Sequence, residues 1–174
     1  MKAVFLDRDN TLIEDKGFVH KVEDLKILPG VIEGLQRLQE AGYTLFLLTN
    51  QSGIGRGLFP LGDYELFMSK FIDELSSHGI FIEEIYCCPH KPEDECACRK
   101  PKPYLIELAM NDYPTDPKES WMVGDRLADY ECGLNAGLNS ILVGEGRTFL
   151  DVVEIIQNGD VLDEYEKGQG PTDV

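Results

Sequence analysis

Positive charge is scarce in this chain. Sixteen lysines and arginines face 32 aspartates and glutamates, a formal net charge of −16. Such a surface repels nucleic-acid phosphates and anionic lipid, so no nucleic acid and no membrane is expected as a partner. Long apolar runs are missing too. None approaches the roughly 18–20 residues that span a bilayer. The opening MKAVFLDRDN runs into charge at once, unlike a secretory leader. Repeats and low-complexity tracts are also absent. These absences lead us to expect a cytoplasmic, reducing setting. They also pose a problem, because an anionic ligand would need local positive charge or a metal. The 174 residues suit one domain with a sizeable core.

Short apolar runs alternate with helical patterns. Strands are expected at 2–6, 43–48, 80–86, 121–123 and 140–143. Between them, Val31, Leu35 and Leu38 keep helical spacing, as do Tyr64, Phe67, Phe71 and Leu75. Pro103 opens a third helix, and Leu127 to Ala136 form a fourth ended by Gly137. This alternation predicts an α/β fold, a Rossmann-like parallel sheet with helices on both faces. Residues 1–158 are expected to form the single domain. From 159 to 174 the chain is acidic and poor in apolar residues, as a loosely held tail would be.

Several strands end in polar residues: Asp7-Arg8-Asp9, Thr49-Asn50-Gln51 and Gly124-Asp125. In open α/β sheets ligands bind beyond the carboxyl ends of strands. Three polar clusters at three such ends therefore converge. Asp7 and Asp9, two apart, point to one side of an extended chain. Asp125 arrives from another strand, with Asp129 one helical turn on, either as a further metal partner or as a surface carboxylate. Gathered carboxylates repel, so either some are protonated or a hard cation sits among them, and Mg²⁺ is the natural one. Attack of Asp7 on a phosphoryl group would give an aspartyl phosphate. Asp9 would then serve as general acid and afterwards base. Thr49 and Asn50 would hold phosphate oxygens, and Lys100 would offset charge on the transferred group. Arg8 either orients this site or balances its charge.

Four of five cysteines crowd into residues 87–98, and Cys132 stands apart as expected inert packing. Cys88, His90, Cys96 and Cys98 form C-x-H-x5-C-x-C, a set able to close a tetrahedral zinc site. Cys87 is an alternative to Cys88, although strand alternation sends the two to opposite faces. With no open position the Zn²⁺ would be structural. The zinc-binding loop, 87–100, runs straight into Arg99 and Lys100, so zinc would position both cations.

DRDNTL (from Asp7), LLTNQSG (from Leu47), Lys100 in CRKPKP and GDRLAD (from Gly124) resemble, in order, the four motifs of the haloacid dehalogenase (HAD) superfamily. The resemblance implies a HAD-like fold and Mg²⁺-dependent phosphomonoester hydrolysis. It assigns the nucleophile to Asp7, the acid/base to Asp9, phosphate binding to Thr49 and Lys100, and Mg²⁺ binding to Asp7, Asp9 and Asp125. One departure stands out. Asn10 replaces the usual glycine, and Asn tolerates left-handed backbone well.

CPH…CACRKPKP further resembles the zinc-bearing HAD phosphatases acting on D-glycero-D-manno-heptose 1,7-bisphosphate, and their relatives acting on histidinol phosphate. Both kinds have no large cap domain. The segment from Asp15, Lys16, Gly17 and Phe18 to His20 resembles the heptose enzymes' substrate loop. So does Gly53–Gly57, whose Arg56 would reach a second phosphate. Asn50, Gln51, Ser52 and Arg99 complete the expected substrate-binding set. The short zinc spacer instead resembles the histidinol-phosphate enzymes. Two loops outweigh one spacer, so a small phosphorylated metabolite, a heptose bisphosphate, is the expected substrate of a monomeric enzyme. A zinc-stapled module that only binds a phosphorylated ligand is the non-enzymatic alternative, and a phosphoryl-transfer relay is a third. The DxD pair argues against a mere sensor, which has no need of two carboxylates facing an anion. His20 and His78 have no evident partner and are expected at the surface.

Overall fold

The computed structural model describes residues 1–144 and 146–159. Five parallel strands, β1 (Ala3–Leu6), β2 (Thr44–Asn50), β3 (Glu84–Cys88), β4 (Trp121–Gly124) and β5 (Asn139–Leu142), lie in the order β3-β2-β1-β4-β5. Among the described residues six α-helices connect and cover them: α1 (Val31–Glu40), the short α2 (Ser52–Gly55), α3 (Leu61–Ser77), α4 (Tyr104–Asp112), α5 (Leu127–Asn135) and α6 (Phe149–Asn158). The expected parallel sheet with two covered faces is what forms.

Alternation explains why the strands read as unbroken apolar runs. Val4, Leu6, Leu45, Leu47 and Val123 join one core with α1, α3 and α6. Ala3, Phe5, Phe46, Leu48 and Met122 join the other with α4 and α5. With both faces dry, every position must be apolar. No helix among the described residues is long and apolar enough to cross a membrane.

The expected elements need three corrections, two at strand boundaries and one missing helix. The third strand is not 80–86 but Glu84–Cys88, in register from Phe46↔Glu84 to Asn50↔Cys88. Ile80 is buried yet lies ahead of the ladder. The second strand does not stop at Leu48, because Thr49 and Asn50 pair with Cys87 and Cys88. Helix α6 was not foreseen, although Thr148 caps it with a reciprocal Asp151 contact and Phe149, Val152, Val153 and Ile156 are buried at helical spacing. Gly159 closes α6, and the rest of the expected tail lies outside the described residues.

Helices α1 and α6 meet closely at one point. A Cβ on Gly34 would stand 2.6 Å from the Phe149 ring and 3.0 Å from Val153. Alanine normally gains up to about 1 kcal/mol over glycine inside a helix. Here overpacking reverses the sign, and Gly34→Ala is expected to destabilise by about 1–3 kcal/mol in urea unfolding. A stabilised variant would contradict the packing described.

Candidate active site

The chain runs outward from β1 to β3 and returns to place β4 on the other side of β1. That reversal opens a crevice at the carboxyl ends of β1 and β4. Asp7 follows β1, and its N–H donates to the Val123 carbonyl at 2.9 Å. Asp125 follows β4, and Asp129 sits in the first turn of α5. Carboxylate oxygens of all three lie within 4.8 Å of one another. Asp129 is thus no surface carboxylate. Its exposure is 3%, its Oδ2 accepts the Arg126 N–H at 3.0 Å, and a Cβ on Gly124 would collide with it. Glycine at 124 is what lets Asp129 in.

The Lys100 Nζ donates to Asp7 Oδ1 at 2.6 Å and to the Leu48 carbonyl at 2.7 Å, and pairs with Asp129 Oδ1 at 2.6 Å. Burial alone would make this ammonium easier to deprotonate, but the charges of Asp7 and Asp129 outweigh it and the lysine stays protonated. One ammonium cannot balance three carboxylates. Burial pushes Asp7 up to about 7 against the opposing pull of Lys100. Burial, then Asp129, pushes Asp125 up to about 6. Surplus negative charge among hard oxygen donors, close enough to share one ion, fits Mg²⁺ held by Asp7, Asp125 and Asp129.

Asp9 behaves differently from the expectation that its side chain joins this group. Its carboxylate has other partners, with Oδ1 accepting Arg8 Nε at 2.8 Å and Oδ2 accepting Gln51 Nε2 at 2.7 Å. The two-residue alternation holds only in extended chain. Here β1 ends at Leu6, and the N–H groups of Leu12 and Ile13 both turn back to the Arg8 carbonyl. Asn10 sits inside that turn with φ 56°, in the left-handed backbone that asparagine tolerates. Its Oδ1 accepts the Asp15 N–H at 3.0 Å. Burial raises the Asp9 carboxyl above its usual range, with Arg8 opposing.

Thr49 is buried at the end of β2, where Gln51 Nε2 donates to its Oγ1 at 2.8 Å. Gln51 therefore bridges Thr49 and Asp9. Asn50 grips the Lys100 backbone from both sides: Lys100 N–H donates to Oδ1 at 3.2 Å, and Nδ2 donates to the Lys100 carbonyl at 3.4 Å. Ser52 opens α2, and Gly55 presses against the Pro89 carbonyl, 2.7 Å from where a Cβ would stand. Asp15 braces its own loop, its Oδ1 accepting the N–H groups of Gly17 and Val19. Lys16 pairs with Glu14 at 3.5 Å. Phe18 takes φ 56° and lies against Gly53. Arg56 faces Glu93 at 3.8 Å across the zinc loop, and Arg99 donates to the His90 carbonyl at 3.3 Å. His20, expected at the surface, stacks on Phe59 with ring centroids 4.3 Å apart. His78 faces Glu74 at 3.5 Å.

The second cluster is compact. Cys98 Sγ stands 3.1 Å from Cys88 Sγ, 3.5 Å from Cys96 Sγ and 3.2 Å from His90 Nδ1. Cys88 Sγ stands 3.6 Å from Cys96 Sγ and 3.7 Å from His90 Nδ1. Ligands at zinc bond lengths and tetrahedral angles stand about 3.3–3.8 Å apart, so the donor set fits Zn²⁺. Alternation separates the neighbours as expected: Cys87 packs toward one core, while Cys88 faces the other with Cys96 and Cys98. Lys102 Nζ ties down the loop, donating to the carbonyls of Cys96 and Glu95 at 2.6 and 3.2 Å. Cys132 is buried, its thiol pushed up to about 12 by burial, as inert packing should be.

Comparison with known proteins agrees with this geometry. A HAD-hydrolase-like family model matches residues 97–165. The chain is 42% identical over 156 residues to the D-glycero-beta-D-manno-heptose-1,7-bisphosphate 7-phosphatase of Haemophilus ducreyi, covering 84% of this chain and 85% of that one. It is 40% identical over 159 residues to the histidine biosynthesis bifunctional protein HisB of Legionella pneumophila, covering 90% of this chain but 45% of that one. The crystal structure of D,D-heptose 1,7-bisphosphate phosphatase from B. bronchiseptica, complexed with magnesium and phosphate, superposes with a TM-score of 0.82 at 32% identity, over 91% of this chain and 99% of that one. By its sheet order, its four ordered motifs and these relatives, the chain belongs to the haloacid dehalogenase superfamily.

Proposed function

We propose that this chain removes the 7-phosphate of D-glycero-D-manno-heptose 1,7-bisphosphate through an aspartyl-phosphate intermediate. The observation that carries the chemistry is the buried Asp7, placed at the sheet reversal against Lys100, Asp125 and Asp129. The substrate is supported by the relatives' own specificity and by the loops at 15–20 and 53–57.

In the first step an Asp7 oxygen forms a bond to phosphorus as the bond to the sugar oxygen breaks. The leaving oxygen takes a proton from Asp9. In the second, water attacks the same phosphorus, gives its proton to Asp9, and the Asp7–phosphorus bond breaks to release phosphate. Bound Mg²⁺ would supply charge neutralisation at the phosphoryl oxygens. Lys100, fixed through its backbone by Asn50, adds a buried cation on the same group. Thr49 and the backbone around Asn50 hold phosphate oxygens. Zinc in the 87–100 loop is structural and sets where Arg99 and Lys100 enter the site. In this reading residues 1–158 are one catalytic domain and 159–174 a tail. The partner is a small phosphorylated metabolite, met by a cytoplasmic monomer.

Histidinol phosphate is the second reading. The five-residue spacer between His90 and Cys96 and the match to HisB favour it. A substrate panel separates the two. Heptose 1,7-bisphosphate is expected to exceed histidinol phosphate in kcat/KM by about 100-fold, since the two differ in polar groups that the site must pair. A reversed order assigns the protein to histidinol phosphate.

A further inference from the structure

Among the described residues Arg8 is the largest fully buried side chain, in a chain that carries few cations. Burying a guanidinium is costly unless its donors are met. Nε and Nη2 reach one oxygen, Asp9 Oδ1, at 2.8 and 2.7 Å. Nη2 also donates to the Val19 carbonyl at 3.1 Å, and Nη1 faces Met68 Sδ at 3.5 Å. The guanidinium lies over the Phe67 ring at 5.0 Å, in an apolar cradle from α3. An apolar residue would fill that space without the desolvation cost. The charge is therefore explained by what it holds. At one end is the carboxylate two residues from the nucleophile. At the other is the backbone of the loop whose form Asp15 braces through Gly17 and Val19.

We infer that Arg8 is a positioning residue: it fixes the Asp9 carboxylate for proton transfer to the leaving oxygen and keys it to the loop at Val19. Gln51 holds the other Asp9 oxygen, so the carboxylate is steered from both sides. This deepens the proposed function and rests on its reading of Asp9 as acid/base. A core plug of the same size would affect stability and every substrate alike. A positioning residue affects the step that needs the proton.

Leaving-group dependence tests this. Nitrophenolate departs without protonation, whereas a sugar alkoxide needs it. First-turnover rates on p-nitrophenyl phosphate and on a sugar phosphate are measured, with Mg²⁺, for the parent, Asp9→Asn, Arg8→Met and Arg8→Lys. Arg8→Met is expected to lose about 100-fold on the sugar phosphate and under about threefold on the aryl phosphate, within the range of acid–base effects. KM is expected to stay within about twofold. Equal losses on both substrates, or none, overturn the inference. Should Arg8→Met fail to fold, Arg8→Lys decides: one ammonium cannot span both Asp9 and Val19, so a split of about tenfold is expected, and equal losses overturn it. Asp9→Asn separates the two levels. If Asp9→Asn shows no split, the acid/base reading fails. If it splits the substrates and the Arg8 variants do not, the role of Arg8 alone is wrong.

Discussion

Asp7→Asn is expected to lower phosphate release by about 10⁴-fold or more, because the amide cannot open the covalent route. The fold should survive the change. Lys100 keeps Asp129 and the Leu48 carbonyl, and the new side chain has the same shape. Stability gives a second readout. The folded-state pKa values of Asp7, about 7, and Asp125, about 6, lie above the ordinary carboxylate value. Between about pH 4 and 7 the metal-free folded protein therefore holds protons that the unfolded chain releases, and its stability falls as pH rises through that window. Asp7→Asn removes part of that fall. In EDTA the variant is expected to match the parent in Tm near pH 4 and exceed it at pH 8. A variant with full turnover, or one that unfolds earlier at pH 8, contradicts the picture of an electrostatically crowded nucleophile.

Cys88→Ser is expected to empty the zinc loop. Elemental analysis of the parent should give one zinc per chain, and the variant close to none. Cys88, Cys96 and Cys98 pack against the core beneath the loop, so ligand loss weakens its anchor. Tm should drop by several degrees. Turnover should fall by about 10–100-fold, the usual cost of disturbing groups that support a site from behind. The path is short: Cys98 is two residues from Lys100, and Lys102 bonds back to the Cys96 carbonyl. Native protein free of zinc, or a variant of unchanged Tm and activity, would sink this account.

The candidate site was legible because polar residues stood where apolar runs stopped. Asp7 and Asp125 could be placed at strand ends from the sequence, and the parallel sheet brings them together. Asp129 could not be decided in the same way. A carboxylate one turn into a helix faces solvent or a crevice according to what its neighbours leave open, and the deciding feature is the missing side chain at Gly124. That glycine was the available signal. Alternation does not carry past the end of β1 into the turn that follows, and the Asp9 carboxylate there meets Arg8 and Gln51. The burial of Arg8 was invisible, since a charged residue between two aspartates gives no hint of the aromatic cradle supplied from α3. Helix α6 has both a readable cap, Thr148 with Asp151, and apolar residues at helical spacing, so its signal lies in the sequence. The shifted third strand shows that an apolar run is not yet a strand: Ile80 is buried and Phe81 exposed, and ladder pairing begins only at Glu84.

The strand order has a consequence for how the enzyme comes into being. Asp7, the proposed nucleophile, precedes its carboxylate neighbours in the chain, and they reach it only after β4 has inserted beside β1. A nascent or truncated chain ending before Trp121 would carry Asp7, Thr49 and Lys100 and still lack two of the three gathered acids. Turnover in a cell extract would thus report the amount of finished sheet rather than the amount of polypeptide.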